Sequence, residues 1–343
     1  MSPRSQLLKL LQVTGTSELL LRLRARAPSP WLTVLTYHSV RAPGPYPFDD
    51  GVLDATPEDF ERQIAVIARH CHVLGVDEIR GFANGHRLPP GAVAITFDDG
   101  YRNNHDVALP ILKRHGVKAI FFVTTGFLEQ RRIFWWDRAA YLLKSSKREW
   151  IEVRYPALMQ VRLVGPRRYQ ALRAVLRLVK DFYDLELERF LDELARACDV
   201  EWNRELDRRF ADELLMSWDD VRALKAAGMD VQSHTRNHLV LQTLPAAKLD
   251  DELGGSREQL ESVLGDKVRA LAYPVGHAIA DRPRLREAVR RAGYELGFSN
   301  ATGINPVWRP IDRFDIKRLA VDYQVPDAEY RGVLAIPYLA AAQ

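Results

Sequence analysis

AVAITFDDGY, residues 92–101, begins as a buried strand and ends in two adjacent carboxylates. Ala92–Phe97 is an unbroken apolar run of strand length. Asp98, Asp99 and Gly100 then break it with turn residues. Neighbours along a strand point to opposite faces. At a strand-to-loop turn, however, both carboxylates can reach one pocket. Side by side they repel, so a functional pair needs its roles separated, for instance by a metal that holds one and leaves the other as a base. A plain Asp-Asp-Gly turn is the alternative.

Strand-length apolar runs recur on both sides of this stretch: 32–37 (LTVLTY), 72–76, 118–123 (KAIFFV), 229–233, 268–273, 295–299 and 316–321. Helix signals lie between them. Thr56 reads as an N-cap with Pro57 at the first helical position, and Phe60, Ile64 and Ile67 give that helix one apolar face. Ser217-Trp218-Asp219-Asp220 reads as a helix start and Gly228 as a stop, with further helices over 246–264 and 283–292. Seven or eight strand–helix units predict an α/β fold with a parallel barrel, and an open doubly wound sheet has a similar pattern. Residues 130–215 interrupt the rhythm. They read as an insertion, with a hairpin over 151–155 and 159–163 and charged helices over 167–182 and 185–198. The expected organisation is a head (1–30), a first barrel part (31–129), the insertion, and a second barrel part with a tail (216–343).

Length and composition agree with this. At ~150 residues per domain, 343 residues allow about two domains, or one α/β barrel with an insertion. With 47% hydrophobic and 27% charged residues, a disordered or fibrous chain is excluded. Cys71 and Cys198 alone rule out a disulfide scaffold or a cysteine zinc site, and point to a reducing compartment. The net charge of +4 equals that of residues 1–30, so the body is balanced. That argues against nucleic-acid binding. The basic, leucine-rich head lacks the run and cleavage site of a signal peptide, and no ~18-residue apolar span predicts a transmembrane helix. Two readings of it stay open: a solvated helix packed on the fold, or a basic amphipathic helix on an anionic membrane surface.

Four further polar groups fall at strand ends, where a barrel places its chemistry. In Ser233-His234-Thr235-Arg236-Asn237-His238 two histidines stand four apart. They can converge on one metal from a helical face or across a short loop. With Asp99 they form a His-His-carboxylate set, which leaves a metal open to water. Tyr37-His38-Ser39 ends the first strand, and a core histidine is its plainer reading. Tyr273-Pro274-Val275-Gly276-His277 turns sharply after another strand. Charges from Asp312 to Arg318 flank the last, with a surface ion-pair cluster as the alternative.

TFDDG at 96–100, SHTRNH at 233–238 and YPVG at 273–276 together resemble the polysaccharide deacetylase (NodB-homology) family, over about residues 31–127 and 215–322. The resemblance implies a distorted parallel (β/α)7-type barrel, here with a mainly helical insertion, and hydrolysis of N-acetyl groups on sugars. It makes Asp98 the general base and Asp99, His234 and His238 the ligands of one divalent metal, zinc first, with cobalt, nickel or manganese also compatible. No histidine follows His277, where most members carry the acid. LTYHSV resembles the circularly permuted branch, which includes poly-N-acetylglucosamine deacetylases. There His38 would be the acid, with His277 as runner-up. The Arg usual in the third motif is missing, and Arg318 is a substitute candidate. Tyr101, through a nearby backbone N–H, with Tyr273, Pro274, His277 and Arg318, would face the substrate.

The function implied is a metal-dependent N-deacetylase of a polysaccharide or lipid-linked glycan, cytoplasmic and in peripheral contact with an anionic membrane face. The alternative is a non-catalytic carbohydrate-binding protein on a degenerate barrel.

Overall fold

The computed structural model describes residues 16–337. Seven parallel strands close a barrel: β1 (Trp31–Tyr37), β2 (Ala92–Phe97), β3 (Ile120–Val123), β4 (Asp230–Ser233), β5 (Ala270–Ala272), β6 (Leu296–Thr302) and β7 (Ile316–Ala320). Each pairs with its sequence neighbour, and β7 and β2 both pair with β1, which closes the ring. The barrel expectation holds; the open sheet does not. Asn305–Pro306 adds an antiparallel pair to the start of β1. The expected strand over 72–76 shrinks to His72–Val73, because Gly75 already caps the helix Val76–Ala83.

Alternation along the strands sorts their side chains. Leu32 and Val34 of β1, Ala92 and Ala94 of β2, Phe122 of β3 and Ile316 of β7 share one buried cluster in the barrel lumen. Leu35, Val93, Ile95 and Phe121 belong to the layer under the helices. Continuing the period of two past the strand ends puts His38, Asp98 and His234 on the lumen side, and within β7 the same period puts Arg318 there. The register sets their height. Tyr37 pairs with Phe97, and Val123 with Ser233, so the residues that follow leave the barrel at one rim.

Helix ends follow the expected caps. Thr56 Oγ1 accepts from the Asp59 N–H at 3.1 Å, and Phe60, Ile64 and Ile67 are fully buried beneath it. Ser217 and Asp220 cap each other reciprocally. The helix expected over 246–264 is Ala246–Asp250 and Ser256–Leu264 joined by a wider turn at Asp251–Gly255. Such a wide turn inside a helix often marks a functional site. Here it carries Glu252, which holds a site loop described below.

Between β3 and β4 the helices Trp135–Ser145, Arg167–Asp181, Leu187–Cys198 and Arg204–Leu214 build a second apolar core around Val175, Phe190, Leu194 and Phe210. The helices at 135–145 and 204–214 were not expected from the sequence. The hairpin is Trp150–Val153 with Met159–Arg162. Lys144 ties this layer to the loop after His38, donating to the carbonyls of Tyr46 and Phe48. Residues 1–15 of the head lie outside the described residues. The helix Thr16–Arg24 packs beneath the barrel: Leu21 is buried, and Arg24 reaches Thr33 Oγ1 and the Ala92 carbonyl at the lower strand ends. Leu19 and Leu23 stay exposed.

Candidate active site and metal centre

Asp98 and Asp99 reach one pocket because the chain turns between them. Asp98 points into the lumen by strand alternation. Asp99 would point away, but its φ of +74° rotates it back. Left-handed backbone at a non-glycine residue costs about 1–3 kcal/mol and gathers at functional sites. Thr124 anchors the turn, donating Oγ1–H to the Asp99 carbonyl at 2.8 Å.

The two histidines converge across a short loop, not along a helix. Thr235 and His238 also have positive φ, +65° and +51°. Thr235 Oγ1 accepts the His238 N–H, and buried Glu252 accepts both the N–H and Nδ2–H of Asn237 at 2.9 and 2.7 Å. His234 Nδ1 donates to the Ala272 carbonyl at 2.8 Å, which fixes the tautomer and leaves Nε2 free to ligate. Nε2 of His234 and of His238 lie 3.4 and 3.5 Å from Asp99 Oδ1.

This donor set fits a metal. Ligand atoms of Asp99, His234 and His238 lie within 4.8 Å of one another, and all three residues are buried. Asp99 Oδ1 is buried without a hydrogen-bond partner, the state expected of an atom kept for an ion. Burial, with His234 alongside, pushes the His238 pKa down to about 3. The ring is therefore neutral, as ligation requires. Burial opposes ionisation of Asp99, but His234 and His238 beside it hold its carboxyl below the usual range. The Trp136 ring packs on His238 at 4.5 Å between centroids. Its Nε1 donates to Tyr101 Oη, which donates to Asp137.

Asp98 has a different partner. Arg318 grips it with two bonds of 2.8 Å and spends its remaining donors on Thr96 Oγ1 and the Ser299 carbonyl. Burial raises the Asp98 pKa, but Arg318 and then His234 bring it well below the usual carboxylate range. Asp98 Oδ2 lies 3.9 Å from His234 Nε2, beside the metal set and outside it.

His38 leaves β1 level with Asp98 and is partly exposed. Its N–H and Nδ1 both meet Asp54, on the short strand Leu53–Ala55, the ring contact being 3.1 Å. Burial works against charge here, yet Asp54, with Asp99 and Asp98 beyond, raises the His38 pKa to about 9. Asn104 Nδ2 also donates to the His38 carbonyl at 2.7 Å.

The structure does not bring all the expected substrate residues to the rim. Arg318 is fully buried with each of its three nitrogens engaged, which leaves it no face toward a sugar; it positions Asp98. Tyr273 is buried and donates to the Phe314 carbonyl at 2.8 Å. Gly297 leaves it room, since a Cβ there would sit 1.9 Å from Oη. Pro274 is buried beside it. The Tyr101 ring is likewise buried, its hydroxyl spent on Asp137. His277 is exposed after the Pro274–Gly276 turn and, among the described residues, shares no hydrogen bond or ion pair with the cluster. Two groups were missed: Asp54, whose only signal is an acid between apolar neighbours in VLDA, and Trp136.

Residues 85–161 and 183–297 match the family model described as polysaccharide deacetylase. The chain belongs to this family. Solved structures of similar fold include the Streptococcus pyogenes deacetylase PplD in complex with acetate, 18% identical with a TM-score of 0.56, covering 90% of this chain and 98% of that one. IcaB from Ammonifex degensii is 20% identical at TM-score 0.52, covering 92% and 99%. The BpsB deacetylase domain from Bordetella bronchiseptica is 18% identical at 0.51, covering 88% and 99%. A search of curated protein sequences returned no match. In this chain the guanidinium beside Asp98 comes from Arg318 of β7.

Proposed function

We propose that the chain is a metal-dependent sugar N-deacetylase of the circularly permuted branch. One observation carries the reading: an ionised Asp98, locked by Arg318, shares one rim of the barrel with the Asp99–His234–His238 set and His38. Two imidazoles and one carboxylate suit zinc first, and cobalt, nickel or manganese as well. An ion held there supplies Lewis-acid chemistry, polarising the acetyl carbonyl and making water more acidic.

The chain's own groups do the rest. Asp98 accepts the proton of the attacking water. Arg318 keeps it ionised and aimed, at some cost in basicity. His38 stands at the same rim with Nδ1 held by Asp54, so Nε2 faces the leaving amine. A sugar amide nitrogen leaves poorly unless protonated, and imidazolium at this position supplies that proton. The backbone N–H of Tyr101 is proposed to bind the developing oxyanion.

His38→Ala is expected to lower kcat by 10²–10⁴-fold with metal content unchanged. The active form is the imidazolium, so activity falls as pH rises through the His38 pKa, about 9 here. Asp54→Asn removes the main group that raises this pKa and leaves burial, which lowers it. The alkaline limb then moves to lower pH. A limb unchanged in Asp54→Asn, or a larger loss in His277→Ala than in His38→Ala, counts against this assignment.

We also propose that the protein works at the cytoplasmic face of a membrane on a lipid-linked or polymeric glycan. The free thiols of Cys71 and Cys198 and the outward Leu19 and Leu23 beside Arg22 support this. The full chain is expected to sediment with vesicles containing phosphatidylglycerol and not with neutral ones. Leu19→Gln/Leu23→Gln should weaken binding severalfold. Equal recovery in the supernatant with both vesicle types ends the membrane part of the proposal.

A further inference from the structure

The helix Arg167–Asp181 carries five cations against one anion, Asp181. At 3.6 residues per turn, Tyr169, Arg173, Arg177 and Lys180 fall within one arc of about 80°. Leu172, Leu176 and Val179 on the adjoining arc are buried. The cationic face therefore runs along the edge of the helix where it leaves the insertion core.

The end of the helix reaches the metal set through the neighbours of Lys180. Val179 and Phe182 line a crevice together with Trp135, Val240 and the metal-set residue His238. The Lys180 ammonium is within electrostatic reach of Asp49 and Asp99, and its charge is felt at His238. The loop after the helix is tied down as well: the Asp184 N–H donates to the Thr243 carbonyl at 2.9 Å.

The other cations at this rim are paired. Asp98 has Arg318, and His38 has Asp54. Arg173 has Asp49 at 2.5 Å and lies over the Tyr169 ring. Lys180 and Arg177 have no ion-pair or hydrogen-bond partner among the described residues. Lys180 is half-buried, and burial depresses its pKa. A cation partly withdrawn from water with no carboxylate in ion-pair contact is destabilising, and a ligand that brings an anion into contact lowers that cost.

We propose that Lys180 and Arg177 form an anion-binding subsite that takes a carboxylate or phosphate of the glycan, on the unit next to the sugar whose acetyl group is removed. This rests on the deacetylase reading above and narrows its substrate to an acidic or phosphate-bearing glycan. Tyr169, exposed at the far end of the same face, offers a stacking surface for a further sugar ring.

Calorimetric titration of the metal-loaded full chain tests this with three probes: a hyaluronan hexasaccharide, a neutral chitin hexasaccharide, and N-acetylglucosamine 1-phosphate. At low salt the uronate or phosphate probe is expected to bind at least tenfold more tightly than the neutral one, and the preference should shrink as salt rises. Lys180→Gln and Arg177→Gln should each reduce the ratio severalfold, and Lys180→Arg should keep it. Metal content of each variant checks the fold. Preference for hyaluronan assigns an acidic polymer; preference for the phosphate assigns a phosphate-linked glycan. Equal affinities, no binding of any probe, or a ratio unchanged in the double Gln variant overturns the subsite. Acetate release is scored separately. Its absence with every probe, beside intact binding preference, would tell against deacetylation and leave the subsite standing.

Discussion

His234→Ala is expected to lose both the bound metal and all measurable acetate release. The wild type should carry about one divalent ion per chain by elemental mass spectrometry. Three buried side chains would hold it, and none is replaceable by a neighbour: the carboxylate beside them, Asp98, is committed to Arg318 through both oxygens. Deleting one ligand of three therefore leaves a weak two-ligand site. The loss in kcat should exceed 10³-fold, since proton transfer by Asp98 and His38 alone is worth only 10²–10⁴. His238→Ala should behave alike. Wild-type protein stripped with a chelator should regain activity with zinc, cobalt, nickel or manganese, whereas His234→Ala should not. An ion count unchanged in the variant would refute this centre. A wild type that takes up no metal after reconstitution would favour the non-catalytic carbohydrate-binding alternative, and glycan binding would then be the property to measure.

Some of this site is legible in the chain and some is not, for physical reasons. Asp98, Asp99, His234 and His38 follow strands whose apolar runs and period of two are visible in the residues. Their place at one rim follows from a parallel barrel. The convergence of Asp99 with Asp98 is less visible, because it depends on a left-handed φ at a non-glycine residue. Arg318 and Asp54 are harder still. Arg318 meets Asp98 across 220 residues of sequence, and local sequence reads the charges from Asp312 to Arg318 as a surface cluster. The outer charges do behave so, Arg286 with Asp312 and Lys317 with Asp315. Only strand parity separates inward Arg318 from outward Lys317. Asp54 sits on a three-residue strand paired with Ser39–Val40, too short to leave a pattern. Tyr273 shows the opposite error. An aromatic residue after a strand looks available to a sugar, yet its hydroxyl is consumed by a backbone carbonyl inside the barrel.

The charges and helical period of the insertion read, in sequence, as a solvated helical lid or a partner surface with no chemistry of its own. Its apolar half matches that picture in part, since Val175, Phe190 and Phe210 make a core of their own. The charged half differs at its edge near His238, where Lys180 is half-buried without an ion pair among the described residues. Periodicity shows which face a residue occupies, but pairing appears only when Asp49, Arg173 and Lys180 are seen together.

Asp98→Asn should leave the metal in place and lower deacetylation by at least 10³-fold. The substitution keeps the shape of the side chain, and Asp98 lies outside the ligand set. What it removes is the proton acceptor, since an amide oxygen cannot take the proton from water. It also leaves the buried Arg318 facing a neutral partner, so some loss of stability is expected. Arg318→Met separates the two effects. It keeps the carboxylate but strips its counter-charge, and breaking a buried pair from one side costs about 3–5 kcal/mol. Burial, which raises the Asp98 pKa, is then opposed mainly by the nearby histidines. The sign follows directly. The base must be ionised, wild-type Asp98 is ionised throughout the working range, and in Arg318→Met its pKa rises. The acid limb of the pH profile should therefore move to higher pH, with part of the activity recovered in alkaline buffer. Arg318→Lys keeps a charge but not the two-pronged grip, and should fall between the two. Full activity in Asp98→Asn would remove Asp98 as the base. An acid limb unmoved in Arg318→Met, in protein that still binds metal, would show that Arg318 only fills space behind the site.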